Sequence, residues 1–224
     1  MGESKQEHLI VGVSPFNPRF TPEWLSSAFQ WGAERFSTVD VLHPGEISMS
    51  LLTSTGTPLG RAKRKVRQQC NRDMRNVEYA LELSGIKLGR GKPVLISDYL
   101  QTQSYQCRRR SVIAEFQNNE LFQDACRAMS TAACQSRLRV TNVNIEPDIE
   151  TAVKYIFDEL PAYTHCSDLF EYETAALGYP TEWPIGKLIE SGLTSLERDP
   201  NSSFIIIDFE KELIDDYVQS TLSF

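Results

Sequence analysis

Four residues of this chain have types and spacings that could do chemistry: Ser14, Tyr155, Glu159 and Tyr179. Ser14 ends the run His8-Leu9-Ile10-Val11-Gly12-Val13-Ser14-Pro15-Phe16-Asn17. Residues 9–13 predict a short buried strand, and a helix is expected to start near Thr21. A serine on the turn after a first parallel strand lies at the carboxyl edge of the sheet, where open α/β folds bind ligands. Gly12 has no side chain and leaves room beside the strand for something to approach. A strand, a turn and a helix cap without chemistry is an equal reading of this segment alone. Tyr155 and Glu159 are spaced i, i+4, so on a helix they share a face one turn apart. There the carboxylate could hold an ammonium while the phenol donates or accepts beside it. Taken singly, such a pair is more often surface decoration. Tyr179 lies among prolines and could be a rigid aromatic wall, a proton relay or plain packing.

The charge distribution adds a second feature. The chain carries −7 overall, yet Arg61, Lys63, Arg64, Lys65, Arg67, Arg72 and Arg75 face a single acid, Asp73, within fifteen residues. No proline or glycine interrupts residues 61–84, which predicts a helix. At about 100° per residue, Arg61, Lys65, Arg72 and Arg75 fall near one face, with Arg64 close by. Arg108, Arg109 and Arg110 form a second cluster. A run of charge is usually a solvated face. The alternative is a phosphate-binding patch on an acidic body, working by counterion release with little base readout.

These residues need a scaffold, and the pattern supplies one. Apolar runs at residues 39–42, 94–97 and 204–207 predict further strands, the last fully buried. Helices are expected at 23–36, 61–84, 98–115, 119–133, 147–160 and 167–177, with a C-terminal helix after the last strand. Pro161 is expected to close the helix carrying Glu159. Residues 138–143 alternate in part and predict an extended segment. Strands alternating with helices imply an α/β fold with a parallel central sheet flanked by helices. Nothing divides residues 1–224 into two domains.

Composition excludes several classes. No apolar run reaches the roughly 20 residues of a membrane span. Residues 1–7 are polar, so no signal region is expected and the protein is read as cytoplasmic. The five cysteines form no C-x-x-C pair, which favours reduced thiols. Three distant histidines, His8, His43 and His165, give no zinc pattern. There is no G-x-G-x-x-G and no Walker A loop, hence no recognisable nucleotide clamp.

Together, these elements resemble the cyclodipeptide synthases. Val11-Gly12-Val13-Ser14-Pro15-Phe16-Asn17-x-Arg19-Phe20 is similar to that family's N-terminal signature. Tyr155-x-x-x-Glu159-x-Pro161 is similar to its second signature, followed twenty residues after the glutamate by Tyr179. The stretch from Gly60 to Arg67 resembles the family's basic helix, and Tyr105-Gln106 matches a further pocket tyrosine. The markers Asn17, Tyr179 and Pro180 place the chain in the branch with proline at the third position, although the asparagine is typical of the other branch.

The resemblance implies a single Rossmann-like domain like the catalytic domain of class I tyrosyl- and tryptophanyl-tRNA synthetases. It implies that two aminoacyl-tRNAs are joined into a 2,5-diketopiperazine without ATP, metal or cofactor. Ser14 would be the nucleophile and carry an aminoacyl and then a dipeptidyl group in ping-pong fashion. Tyr155 and Glu159 would hold the α-ammonium, and Tyr179 would position the aminoacyl group and relay a proton. The basic helix would be the tRNA surface. Ile10, Gly12 and Ile96 are expected to line the first aminoacyl pocket and suggest an apolar side chain such as Leu, Phe or Met. A monomer is expected. A non-catalytic RNA-binding protein and an atypical serine hydrolase stay open as alternatives, the latter without a G-x-S-x-G elbow.

Overall fold

The computed structural model describes residues 8–142 and 144–209. Five parallel strands form one sheet: β1 (His8–Gly12), β2 (Thr38–His43), β3 (Val94–Leu95), β4 (Ala175–Tyr179) and β5 (Ser202–Ile206). Their order is β3-β2-β1-β4-β5, the doubly wound order of a Rossmann-like α/β fold. The strand order reverses between β1 and β4, which pair from His8 with Ala175 to Val11 with Gly178. The crevice at that switch point is where such sheets take ligands. Ser14 follows β1 and Tyr179 ends β4, so the topology alone sets them side by side.

Alternation along β1 feeds two cores. Leu9, Val11 and Val13 face α1 (Pro22–Arg35) and the C-terminal half of α3 (Leu59–Ser84). Thr21 caps α1 by accepting from the Trp24 N–H at 3.2 Å. Gly85, at φ +70°, closes α3. On the other face, Ile10 and Leu42 pack against α5 (Gln103–Asn118), α7 (Ile149–Thr164) and α8 (Cys166–Phe170). The 26-residue α3 extends about 39 Å. Its N-terminal half runs past the sheet and packs Ala62 and Val66 on Leu52 of α2 (Met49–Thr53). α6 (Glu120–Thr141) packs on α7. A short α4 (Ile96–Tyr99) and α9 (Pro184–Glu190) complete the α-helices among the described residues, and Gly45–Ser48 form a 3₁₀ helix.

Several expectations are corrected here. The helix expected over 167–177 ends at Phe170, and Ala175–Tyr179 is the strand β4. An all-apolar Ala-Ala-Leu run is what a strand buried on both faces looks like, and periodicity does not separate it from a helix. Pro161 does not close α7, which runs on to Thr164. Residues 138–141 are helical, and α6 is capped by Asn142 in the left-handed conformation, φ 50°. The strand at 94–97 is only Val94–Leu95, because Ile96 starts α4. The helix expected at 98–115 is broken before Gln103. The last strand is an edge strand with Ile206 exposed, not a fully buried one. The expected C-terminal helix lies outside the described residues.

At the end of the sheet far from Ser14, Asp40 is fully buried. It accepts from the Tyr172 hydroxyl at 2.9 Å and the Arg90 N–H at 3.0 Å, and lies 2.5 Å from His8 Nε2. Asp40→Ala leaves the buried His8 and the half-buried Tyr172 hydroxyl and Arg90 N–H without their partner at once. We expect it to cost about 3 kcal/mol or more in urea denaturation, with specific activity per folded molecule kept. A variant as stable as the parent would show that the cluster does not hold the sheet.

Candidate active site

Ser14 sits just past the last strand bond, where the Val13 N–H donates to the Leu42 carbonyl at 2.8 Å. The turn that follows is strained. Phe16 adopts φ +65°, a left-handed conformation that a bulky residue rarely takes. Its ring packs on the Leu52–Val66 cluster and lies under the Arg137 guanidinium at 4.8 Å. Arg137 also donates from Nε to Thr55 Oγ1 at 3.3 Å. At the next residue, Asn17 Oδ1 accepts from the Arg19 N–H at 3.0 Å, and Arg19 Nη1 donates to the Pro180 carbonyl at 3.1 Å. The serine loop is thus tied to α6 on one side and to the end of β4 on the other.

Tyr179 meets Ser14 across this junction. Burial raises the Tyr179 pKa, while hydrogen bonds with Ser14 and Asn17 pull the other way and the nearby Glu159 charge pushes it up again. The phenol therefore stays protonated at neutral pH. The expected empty space beside Gly12 is taken by this ring. A Cβ on Gly12 would lie 3.3 Å from Tyr179 Cδ2. The glycine is what lets the tyrosine approach β1.

Tyr155 and Glu159 do share a face of α7, and that face turns inward, with Tyr155 buried and Glu159 half-buried. The Tyr155 hydroxyl donates to Glu159 Oε1 at 2.7 Å, and the Tyr163 hydroxyl reaches the same oxygen at 3.5 Å. Burial raises the Glu159 pKa to about 7, with the two phenols opposing it. Among the described residues it has no cationic partner. A desolvated carboxylate met only by neutral phenols is missing a positive charge, which makes Glu159 a candidate functional group. Its neighbour Asp158 is the contrast, since it is paired with Arg109. Tyr105 is fully buried, and its hydroxyl donates to the Asp158 carbonyl at 2.8 Å, so it steadies α7 behind Glu159. Ile10 and Ile96, at 0% and 1% exposure, share one core cluster with Tyr155.

Tyr163 was missed in the sequence. It stands at i+4 from Glu159, and a helix ending at Pro161 hides that spacing. Its ring also contacts Tyr179, Trp183 and Phe204, with centroids 6.4, 4.9 and 6.0 Å apart.

A cleft of about 880 Å³ opens on Ser14. The serine loop forms one wall, α3 the second and α6 the third. Lys65, Arg72 and Arg75 line it, together with Arg137. Arg61, Lys63, Arg64 and Arg67 are exposed on the rest of α3. The α6 wall was missed because its last turn read as extended. A protease-like triad does not form. His43 is fully buried, its Nδ1 accepts from the Gly45 N–H at 2.9 Å, and its Nε2 lies 3.2 Å from Asp73. Both ring nitrogens are used, so His43 has none left for a serine.

Comparison with known proteins identifies the family. A family model described as cyclodipeptide synthase matches residues 3–208. A cyclo(L-leucyl-L-leucyl) synthase of Corynebacterium jeikeium (strain K411) is 97% identical over 216 residues, 96% of this chain and 100% of that protein. One from Bacillus subtilis (strain 168) is 33% identical over 210 residues, covering 91% of this chain and 83% of its own. A cyclodipeptide synthase structure from Bacillus thermoamylovorans superposes with a TM-score of 0.82 at 29% identity, covering 91% of this chain and 89% of that one. Matched by the family model over residues 3–208 and 97% identical to a characterised member, this chain belongs to the cyclodipeptide synthase family.

Proposed function

We propose that this enzyme makes cyclo(L-leucyl-L-leucine) from two leucyl-tRNAs through covalent intermediates on Ser14. The observation that carries the mechanism is the desolvated Glu159 carboxylate, which lacks a cation and lies within electrostatic reach of the Ser14–Tyr179 pair. The product named for the 97% identical relative supports leucine at both positions, and apolar Ile10 and Ile96 suit such a side chain.

In the first step Ser14 Oγ attacks the ester carbonyl of leucyl-tRNA. The new acyl–oxygen bond forms as the ester bond to the ribose breaks, and the serine proton leaves on the tRNA hydroxyl. No histidine is needed, because an ester gives a good leaving group. Glu159, with Tyr155 and Tyr163, holds the α-ammonium of the bound leucyl group by charge-assisted hydrogen bonds. Tyr179, kept neutral by burial, donates to and accepts from the groups at Ser14. The α-amine of the leucyl-enzyme, once it has given up its extra proton, then attacks the ester carbonyl of a second leucyl-tRNA. The amide bond forms as the ester bond to the second ribose breaks, an amine proton leaves on the tRNA hydroxyl, and the dipeptide stays esterified to Ser14. The free amine of the dipeptide closes on its own ester, releasing the ring and the Ser14 hydroxyl. Holding amine and ester in one cavity makes that closure a step of high effective molarity. The cleft basics Lys65, Arg72, Arg75 and Arg137 take the tRNA phosphates.

Ser14→Ala removes one hydroxyl from a loop held by other contacts. We expect a folded protein that forms no labelled acyl-enzyme from radiolabelled leucyl-tRNA and releases no diketopiperazine detectable by mass spectrometry. A product peak at the parent's level would remove the covalent route. A peak of a mass other than cyclo(Leu-Leu) would remove the leucine assignment.

Glu159→Gln separates activity from stability. The folded pKa of about 7 lies above the ordinary 4.5, so the folded state holds this proton more tightly than the unfolded chain does. The resulting stabilisation is fully present below pH 4.5 and is lost as pH rises to 7 and above. We therefore expect Glu159→Gln to match the parent near pH 4.5 and to be more stable at pH 8, by about 3 kcal/mol. Cyclic dipeptide output should nevertheless fall about tenfold or more, the loss of one charge-assisted bond. Denaturant titrations at the two pH values and a product assay check both halves. Equal activity would make the carboxylate a bystander.

A further inference from the structure

The buried face of α3 is Ala62, Val66, Gln69, Asp73, Val77 and Ala80. Two polar residues interrupt an otherwise apolar stripe, and a buried polar group is the informative kind. Both belong to one chain of hydrogen bonds that starts at the end of β2. The Gly45 N–H donates to His43 Nδ1 at 2.9 Å, which leaves the ring proton on Nε2. That nitrogen faces Asp73 Oδ2 at 3.2 Å. Gln69 Nε2 donates to Asp73 Oδ1 at 2.7 Å. Gln69 Oε1 then accepts from Arg72 Nη2 at 2.6 Å. Each group uses the end that its neighbour requires, so the amide of Gln69 has one orientation and Arg72 has one anchor. Arg72 and Gln69 line the cleft that opens on Ser14.

We propose that Gln69 is a positioning residue that fixes the Arg72 guanidinium in this cleft to meet a phosphate of the tRNA. The inference rests on the tRNA reading of the cleft given above. Arginine side chains on an exposed helix are otherwise free, and immobilising one on binding costs entropy. The chain from His43 supplies that order in advance, from a rigid strand end. The other α3 cations of the cleft, Lys65 and Arg75, have no such tether among the described hydrogen bonds and ion pairs, and Arg137 of α6 is held separately by Thr55 and the Phe16 ring, so Arg72 is the α3 cation whose position the fold sets.

The test uses Gln69→Met, which keeps length and volume but can neither donate to Asp73 nor accept from Arg72. With leucyl-tRNA we expect KM to rise about three- to tenfold at unchanged kcat. The dependence of log(kcat/KM) on log salt should keep the parent's slope, because the Arg72 charge is still there. Arg72→Ala should also raise KM, but it should flatten that slope by about one counterion. In the Arg72→Ala background, Gln69→Met should do nothing more, since coupled residues are not additive. Gln69→Asn, an amide too short to span the gap, gives the same split if Gln69→Met does not fold. An unchanged KM, or the same added loss without Arg72, overturns the positioning role and leaves the cleft reading intact. If Arg72→Ala changes neither KM nor slope, the tRNA reading of the cleft fails, and this inference with it.

Discussion

The desolvated carboxylate of Glu159 is the constraint to which the rest of the site answers. Burying a carboxylate without a cation is unfavourable unless hydrogen bonds compensate it or it takes a proton. The chain does both. Tyr155 and Tyr163 each aim a phenol at Oε1, and the pKa rises to about 7. The two tyrosines stand one turn before and one turn after the glutamate, so α7 must stay helical on both sides of it. That is why Pro161 is found inside this helix and not at its end. Tyr105 and Arg109, reaching from α5 to Asp158, hold the same turn from behind. In the proposed reaction the missing positive charge arrives with the substrate's α-ammonium, so a site that is unfavourable when empty is completed by its ligand.

The serine loop shows the same balance on a smaller scale. A phenylalanine at φ +65° costs of order 1–3 kcal/mol and persists only where surroundings over-determine it. Here the guanidinium of Arg137 covers the ring, the α2–α3 cluster supports it, and Arg19 ties the loop to the Pro180 carbonyl. Those three tethers come from three different parts of the chain. They fix Ser14 against Tyr179, which Gly12 admits to within contact of β1.

How much of this could be read beforehand follows from how local each signal is. Ser14 was legible because a strand and a turn residue are adjacent in sequence. Glu159 and Tyr155 were legible because i, i+4 on a helix is a fixed geometry. The basic stripe of α3 was legible as a count of charges. Tyr163 was not, because a proline rule that usually ends a helix overrode a periodicity that continued through it. β4 was not, because residues buried on both faces lose the alternation that names a strand. Arg137 and the α6 wall were not, because nothing local links residue 137 to residue 16. Gly12 was singled out correctly as a place of close approach, but what approaches is the protein's own Tyr179. The Gln69–Asp73 pair is the subtlest case: in sequence it is two polar residues in a charged helix, and only burial shows that they face inward.

The charge pattern takes on meaning in this geometry. An acidic chain of −7 repels a polyanion over most of its surface, while Lys65, Arg72, Arg75 and Arg137 concentrate positive charge around one cleft. Repulsion elsewhere and attraction there restrict the orientations in which a nucleic acid can approach productively. The serine loop is one wall of that cleft, so in the proposed reaction a carrier held by these cations would meet Ser14 with its acceptor end. For the proposed reaction this matters twice, because two charged carriers must use one protein in turn. The first must leave before the second can occupy the same cations, and phosphate contacts that are individually weak and salt-sensitive allow that exchange better than a base-specific grip would. A basic cleft on an acidic body is therefore the arrangement expected of an enzyme that, as proposed, must bind its carrier, take the acyl group and let the carrier go.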